Sequence, residues 1–141
     1  VTDRDVVFRK LSSLKEHVAR MRRRRPSDVE SFRADVDRQD AIGMSLLVAV
    51  QDALDIALHM ASDEGWGVPA SYAESFGMLA SHGVLDVALA GALANMATLR
   101  DRLAHGYGTV DGDRIWTELP AGLAALDAFA AAIATQLAPR S

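Results

Sequence analysis

The sequence predicts an all-α protein, an up-and-down four-helix bundle with additional short helices. Three observations carry that expectation. Apolar side chains recur three and four residues apart over long windows, the period of one helix face. Half of the 141 residues are hydrophobic, yet only 6% are aromatic and four are proline, a composition that favours helix over sheet. Glycine and proline gather at a few places and cut the periodic segments apart.

The first segment, from about Asp3 to Arg25, repeats Val7, Leu11, Leu14, Val18 and Met21 on one face and stops at Pro26, which cannot continue a helix. Ser27 and Glu30 then read as a capping box, in which the serine accepts an orphan amide and the glutamate reaches back, opening a short helix. The pattern blurs near Asp37–Asp40 and resumes as a long helix to about Asp63. Between Ala41 and Val50 that helix is apolar nearly all round, as a helix flanked on two sides would be. Gly65, Gly67 and Pro69 end it. Ser71 and Glu74 form a second capping box for a helix through about Ser81, stopped by Gly83.

A further helix runs from about Leu85 to Leu103 and carries Val87, Ala88, Leu89, Ala92, Met96, Leu99 and Leu103. Gly106, Gly108, Asp111 and Gly112 mark a turn. The last helical region reaches about Leu137 through Leu123, Leu126, Phe129 and Ile133, and Pro120 either kinks it or begins its second part. With no linker and no internal repeat, residues 1–141 are expected to form a single domain.

Net charge is −4, which opposes non-specific attraction to nucleic acid and requires any such contact to use a local basic patch. Arg22–Arg25, with Arg20 before them, is the candidate, although basic residues equally suit a helix C-terminus. No cysteine is present, which excludes disulfides and thiolate metal sites. Ala41–Val50 falls short of the ~20 residues needed to cross a bilayer, and the first ten residues lack the apolar run of a secretory signal. A cytoplasmic protein without a membrane role is expected.

The polar chemistry concentrates in one stretch, LRDRLAHGYG, residues 99–108. Arg100, His105 and Tyr107 stand in the pattern R-x4-H-x-Y. On an ideal helix a step of five residues turns through about 140°, so Arg100 and His105 would not share a face. Either the helix ends before His105, as Gly106 and Gly108 permit, or the two side chains converge from different directions at the seam of a dimer. Histidine can take a proton from a hydroxyl and return one to a leaving oxygen. Arginine offers a permanently charged planar fork to phosphate oxygens as they gather negative charge. The pair would serve a metal-free ribonuclease whose nucleophile is the RNA's own 2′-hydroxyl, with Tyr107 stacking on a base or offering its hydroxyl. Such residues at a helix end also satisfy backbone carbonyls and reach solvent, so by themselves they leave both readings open.

With that motif the chain resembles the HepT-like toxins of the HEPN superfamily, whose signature R-x4-6-H is extended in the HepT branch to R-x4-H-x-Y. The resemblance runs through AIGMSLLVAVQDALDIALHMAS, VPASYAESFGMLASHGVLD and MATLRDRLAHGYGTVD and covers roughly residues 4 to 137. Asp101 departs from it, because the HepT branch usually has asparagine after the arginine; an acid there could repel phosphate or orient His105 from one turn away. The resemblance implies a HEPN-like bundle and a homodimer with two motifs at one cleft. It further implies the toxin of a type VII-like toxin–antitoxin pair, a ribonuclease acting on cellular RNA, with tRNA as family precedent. Arg100 and His105 would be catalytic, and Asp101 and Tyr107 supporting. The implied partner is a minimal nucleotidyltransferase (MNT) antitoxin that attaches AMP to Tyr107, adding bulk and charge where RNA phosphate would bind, within a homodimer or a larger hetero-oligomer. The alternative is a non-catalytic helical partner or substrate subunit of such a transferase.

Other polar residues have plainer expectations. Asp52, Asp55, His59 and Asp63 form a stripe that could bind a divalent metal, wall the cleft or simply face solvent; no E-x-x-H pair supports a carboxylate metal site, and neither metal nor cofactor is expected. His82 before Gly83 reads as a helix cap, and His17 has no neighbouring motif. Trp66, Tyr72 and Phe76 read as loop and core anchors rather than stacking platforms, and Trp116 is expected to pack on the bundle. A G-x-x-x-x-G-K loop and a G-x-S-x-G elbow are both missing, which argues against nucleotide hydrolysis and acyl transfer.

Overall fold

The computed structural model describes residues 2–105 and 112–139. These form six helices, α1 (Arg4–Arg24), α2 (Val29–Ala34), α3 (Val36–Asp63), α4 (Tyr72–Ser81), α5 (Val87–His105) and α6 (Gly112–Leu137). Four are long and two short, as the periodicity predicts.

Helix α3 is the spine. Helix α1 lies antiparallel to it: at one end the Thr2 hydroxyl donates to Glu64 at 2.8 Å and the Asp3 amide to Asp63 at 2.8 Å, and midway Lys10 Nζ meets Asp55 at 3.0 Å. Val7, Leu11, Leu14, Val18 and Met21, the whole predicted stripe, are buried. Helix α5 runs antiparallel along another side of α3, bringing Leu103 near Gly43 and Arg100 to Gln51. Helix α6 closes the bundle, with Gly122 against the end of Met96 and Phe129 edge-on to Phe76 of α4 at 6.0 Å. Phe32 of α2 tilts onto Trp116 of α6 at 5.5 Å between ring centres, and the guanidinium of Arg25 lies 3.7 Å from the same indole.

Three boundaries differ from the sequence expectation. Asp28, not Ser27, caps α2: its carboxylate accepts from the Ser31 amide at 2.8 Å, while Glu30 pairs with Arg33 at 3.1 Å. Serine and aspartate cap about equally well, but a carboxylate also gains from the positive end of the helix dipole, which favours Asp28. Pro120 lies inside a continuous α6 and does not begin a second helix. Helix α5 continues through His105, and Gly112 already belongs to α6. The second capping box forms: Ser71 Oγ accepts from the Glu74 amide at 3.1 Å, and Glu74 reaches back to the Ala70 amide at 3.0 Å.

By length and composition alone α3 and α6 could each cross a bilayer. Within this bundle, however, 56% of the apolar window of α3 is buried against other helices, the position of a core helix.

Glycine ends α3, at Gly65, and α4, at Gly83, by the same device. After α4, Gly83 adopts φ +79°, and the amides of Gly83 and Val84 bond to Ala80 and Leu79 carbonyls at 3.1 and 2.9 Å, the paired closure of a left-handed stop. Gly77, within α4, has open space where a Cβ would stand. Gly83→Ala is therefore expected to lower the unfolding free energy by about 1 kcal/mol, and Gly77→Ala to raise it by roughly 0.5–1 kcal/mol. Urea denaturation midpoints check both signs; a Gly83→Ala protein of unchanged stability would contradict the left-handed stop.

Candidate functional site

Arg100 sits in the last two turns of α5 on the side facing α3, and its side chain is only 18% exposed. A guanidinium cannot shed its charge, so a site that encloses it must supply acceptors. Gln51 of α3 supplies the inner one, its Oε1 accepting from Arg100 Nη2 at 2.5 Å. Gln51 Nε2 donates to Asp55 Oδ1 at 2.8 Å, and Asp55 Oδ2 meets Lys10 Nζ of α1 at 3.0 Å. This chain of contacts fixes the amide of Gln51, because the reverse orientation would set its NH2 against the guanidinium and its carbonyl against the carboxylate. Three helices are thereby tied at one level.

On the outer side, Asp101 Oδ1 accepts from Arg100 Nη1 at 3.0 Å, and this carboxylate side chain is 47% exposed. Arg100 Nε is buried without a partner. Each terminal nitrogen of the fork keeps a second N–H for a ligand oxygen. The ring of Tyr72, at the start of α4, lies 5.8 Å from the guanidinium carbon, within cation–π range. Tyr72 is 38% exposed, whereas Phe76 one turn later is fully buried; the expectation of a core anchor holds for Phe76 and is corrected for Tyr72. Beside the two residues a groove of about 560 Å³ runs between the start of α4 and α5, with Leu58, Pro69, Ala97, Thr98 and Asp101 among its walls.

His105 is the last residue of α5, so the helix does not end before it, and its backbone stands about 140° around the axis from Arg100. The His105 side chain and Tyr107 lie outside the described residues, as do Gly106, Gly108 and Asp111 of the expected turn.

The stripe on α3 is neither a solvated face nor a metal site. Helix α1 covers it. Asp52 is 6% exposed, Asp55 pairs with Lys10, and His59 Nε2 lies 3.0 Å from Asp63 Oδ2 outside hydrogen-bonding geometry. Among the described residues no three His, Asp or Glu side chains converge to hold a metal ion. Through Asp55 and Gln51 the stripe instead backs Arg100, the polar wall among the sequence alternatives. Burial pushes the Asp52 carboxyl above the usual carboxylate range, while Ser13, Lys10 and His17 of α1 pull it back and Asp55 adds to the rise.

Of the remaining candidates, His82 caps α4 through the Met78 carbonyl at 2.8 Å and stacks on Trp66 at 4.1 Å. The arginine patch is largely committed to the fold: Arg20 pairs with Glu16, Arg22 with Asp127, and Arg25 covers Trp116. Sequence reasoning misses Gln51 beside Arg100 and reads Tyr72 as an anchor rather than a neighbour of the guanidinium. The i, i+4 spacing of Gln51 and Asp55 was the available signal for the first; nothing local distinguishes Tyr72 from Phe76.

The bundle has close counterparts of known structure. It superposes on a tri-AMPylated HEPN toxin from Shewanella oneidensis in complex with MNT antitoxin, with a TM-score of 0.86 at 24% identity, covering 94% of this chain and 99% of that one. A cytosolic protein of unknown function from Bacillus subtilis, YutE, matches with a TM-score of 0.84 at 20% identity over 99% of this chain and 96% of that one. At such identities the likeness is one of fold. Sequence goes further: the profile described as Ribonuclease HepT-like matches residues 14–133, and the chain belongs to that family. A relative named mRNA nuclease HepT, also from Shewanella oneidensis, is 27% identical over 103 residues, 73% of this chain and 77% of that protein.

The buried carboxyl in the α1–α3 seam has a pH signature. With its folded value raised, Asp52 binds its proton more tightly in the folded than in the unfolded chain, so its contribution falls as pH rises from about 4, the unfolded value, through the raised value. Asp52→Asn removes that titration. The stability of Asp52→Asn relative to wild type is expected to improve as pH rises above about 4 and to level off once the folded value is passed, in paired thermal melts, and a difference independent of pH would contradict the raised value.

Proposed function

We propose that this chain is the toxin of a type VII-like toxin–antitoxin pair, a metal-independent endoribonuclease that acts on cellular RNA in the cytoplasm as a single-domain protein. The observation that carries the reading is a nearly enclosed arginine, held by a neutral amide and with N–H groups to spare, at the first position of R-x4-H-x-Y in a HepT-like chain. Arg100 grips the phosphate and stabilises its developing charge. One His105 imidazole takes the 2′-hydroxyl proton as that oxygen attacks phosphorus, and a protonated imidazole gives a proton to the departing 5′-oxygen. The products are a 2′,3′-cyclic phosphate and a 5′-hydroxyl, so the chemistry needs no metal.

A homodimer supplies both imidazoles and answers the angular separation of Arg100 and His105. Val36 and Met44, exposed by 63% and 62%, lie along a groove that also includes Leu103, an apolar seam beside the motif. The name of the Shewanella nuclease supports RNA as substrate, and the AMPylated toxin–antitoxin complex supports an MNT nucleotidyltransferase as the partner that modifies Tyr107. One feature favours the alternative, a non-catalytic substrate subunit of that transferase: Asp101 occupies part of the arginine's outer side.

Induced expression separates the readings. Wild type is expected to arrest growth, Arg100→Ala and His105→Ala to lower RNA cleavage at least about 100-fold and relieve the arrest, and Gln51→Leu, which unseats the guanidinium, to lower cleavage on the order of 10- to 100-fold. Equal arrest from all four proteins, each folded by circular dichroism, would remove the nuclease reading. Incubation with ATP and the cognate MNT nucleotidyltransferase should add mass in AMP units, and Tyr107→Phe should block it; an unchanged mass pattern in that variant would move the acceptor elsewhere.

A further inference from the structure

We propose that the groove between the start of α4 and α5 is a nucleobase subsite, in which Tyr72 stacks on a base next to the phosphate gripped by Arg100, and Asp101 selects guanine. The proposal rests on the ribonuclease reading and names the part of the substrate that the site would read.

Tyr72 lies within cation–π range of Arg100, and it is held where a ligand can use it. The Ser71 cap and the Glu74 reach-back fix the first turn of α4 and so aim the ring, leaving it 38% exposed at the edge of the groove. Across the groove α5 presents Ala94, Ala97 and Thr98, small side chains that leave room beside the ring. A groove of about 560 Å³ admits a planar ring with room for its sugar. Every base offers a π face to such a platform, so stacking supplies affinity without choosing among bases.

Polarity orders the strand. The Arg100 guanidinium lies 5.8 Å from the Tyr72 ring, within the length of one nucleotide, so a phosphate on the arginine places its neighbouring base over the tyrosine. Asp101 would repel that phosphate, but it suits the edge of the base. Its Oδ1 already holds Arg100 Nη1, and the half-exposed carboxylate lines the groove with acceptor capacity to spare. A carboxylate only accepts hydrogen bonds. Guanine alone presents two adjacent donors, N1–H and the N2 amino group, on its Watson–Crick edge. Adenine and cytosine set an acceptor nitrogen beside their single amino group, and uracil flanks its one N–H with two carbonyls. Asparagine at this position would offer one donor and one acceptor and lose that preference.

The test uses the full-length protein and 2′-O-methyl hexauridylates carrying one central guanine, adenine or cytosine, which bind but lack the nucleophile; affinity is read by fluorescence anisotropy. Wild type is expected to bind the guanine oligomer at least fivefold more tightly than the others. Tyr72→Ala should weaken all of them about tenfold or more, Tyr72→Phe should retain binding, and Asp101→Asn should abolish the guanine preference. Wild-type affinity in Tyr72→Ala, no measurable binding of any oligomer, or a guanine preference that survives Asp101→Asn would overturn the proposal. Cleavage assays keep the two readings apart. A protein that cuts RNA while Tyr72→Ala binds normally loses the subsite and keeps the nuclease; one that binds guanine through Tyr72 yet cuts nothing keeps the subsite and loses the nuclease.

Discussion

A guanidinium enclosed between helices is the constraint around which the bundle is organised. Arg100 keeps its charge in any surroundings, and its position against α3 would cost several kcal/mol if the inner N–H groups met only apolar atoms. Gln51 removes that cost with a neutral carbonyl. The choice of a neutral acceptor has an electrostatic consequence, since a carboxylate in its place would neutralise the arginine and leave little field for a substrate phosphate. The carboxylate is instead one step back, at Asp55, where it orients the amide and is itself answered by Lys10. The charges alternate from α5 through α3 to α1, and each element's register along its neighbour is fixed by this contact as well as by packing.

The same geometry divides the end of α5 into two working faces. One carries Arg100, turned toward α3 and α4, with Tyr72 and the groove beside it. The other carries Leu103 against the α3 segment around Gly43 and Met44. A helix extended through His105 keeps these faces rigidly related, because no loop intervenes to bring the histidine round to the arginine.

Most of the fold was legible because helix periodicity is a local property. The stripe from Val7 to Met21 and the glycine stops at Gly65 and Gly83 follow from spacing and backbone freedom that neighbouring residues already display. The cap of α2 was ambiguous for a physical reason: Ser27 and Asp28 are both good caps, and in the folded chain Asp28 takes the Ser31 amide while Glu30 turns to Arg33. At the site, the motif gave Arg100, but not what holds it. Gln51 and Tyr72 come from helices some fifty and thirty positions away in sequence, and their meeting with Arg100 depends on the antiparallel register of α3 with α5 and on the exit angle of α4. The same limit applies to the α3 stripe. Its spacing made one face evident, but whether that face met solvent, a metal or α1 was settled only by packing.

Asp101 is best understood from the difference between the two acceptors on the arginine. Gln51 acts from the enclosed side, where a hydrogen bond is shielded and its loss would strand buried polar atoms. Asp101 acts from the open side, where its side chain is 47% exposed and such a pair contributes on the order of 0–1 kcal/mol. Parting the Asp101 pair therefore costs little, whereas parting Gln51 from the guanidinium would strand buried polar atoms. The aspartate lowers the resting field of the site without locking the arginine away from its ligand. Its single bond to Nη1 occupies one N–H of the planar fork and leaves Nε and the remaining N–H groups uncommitted to it.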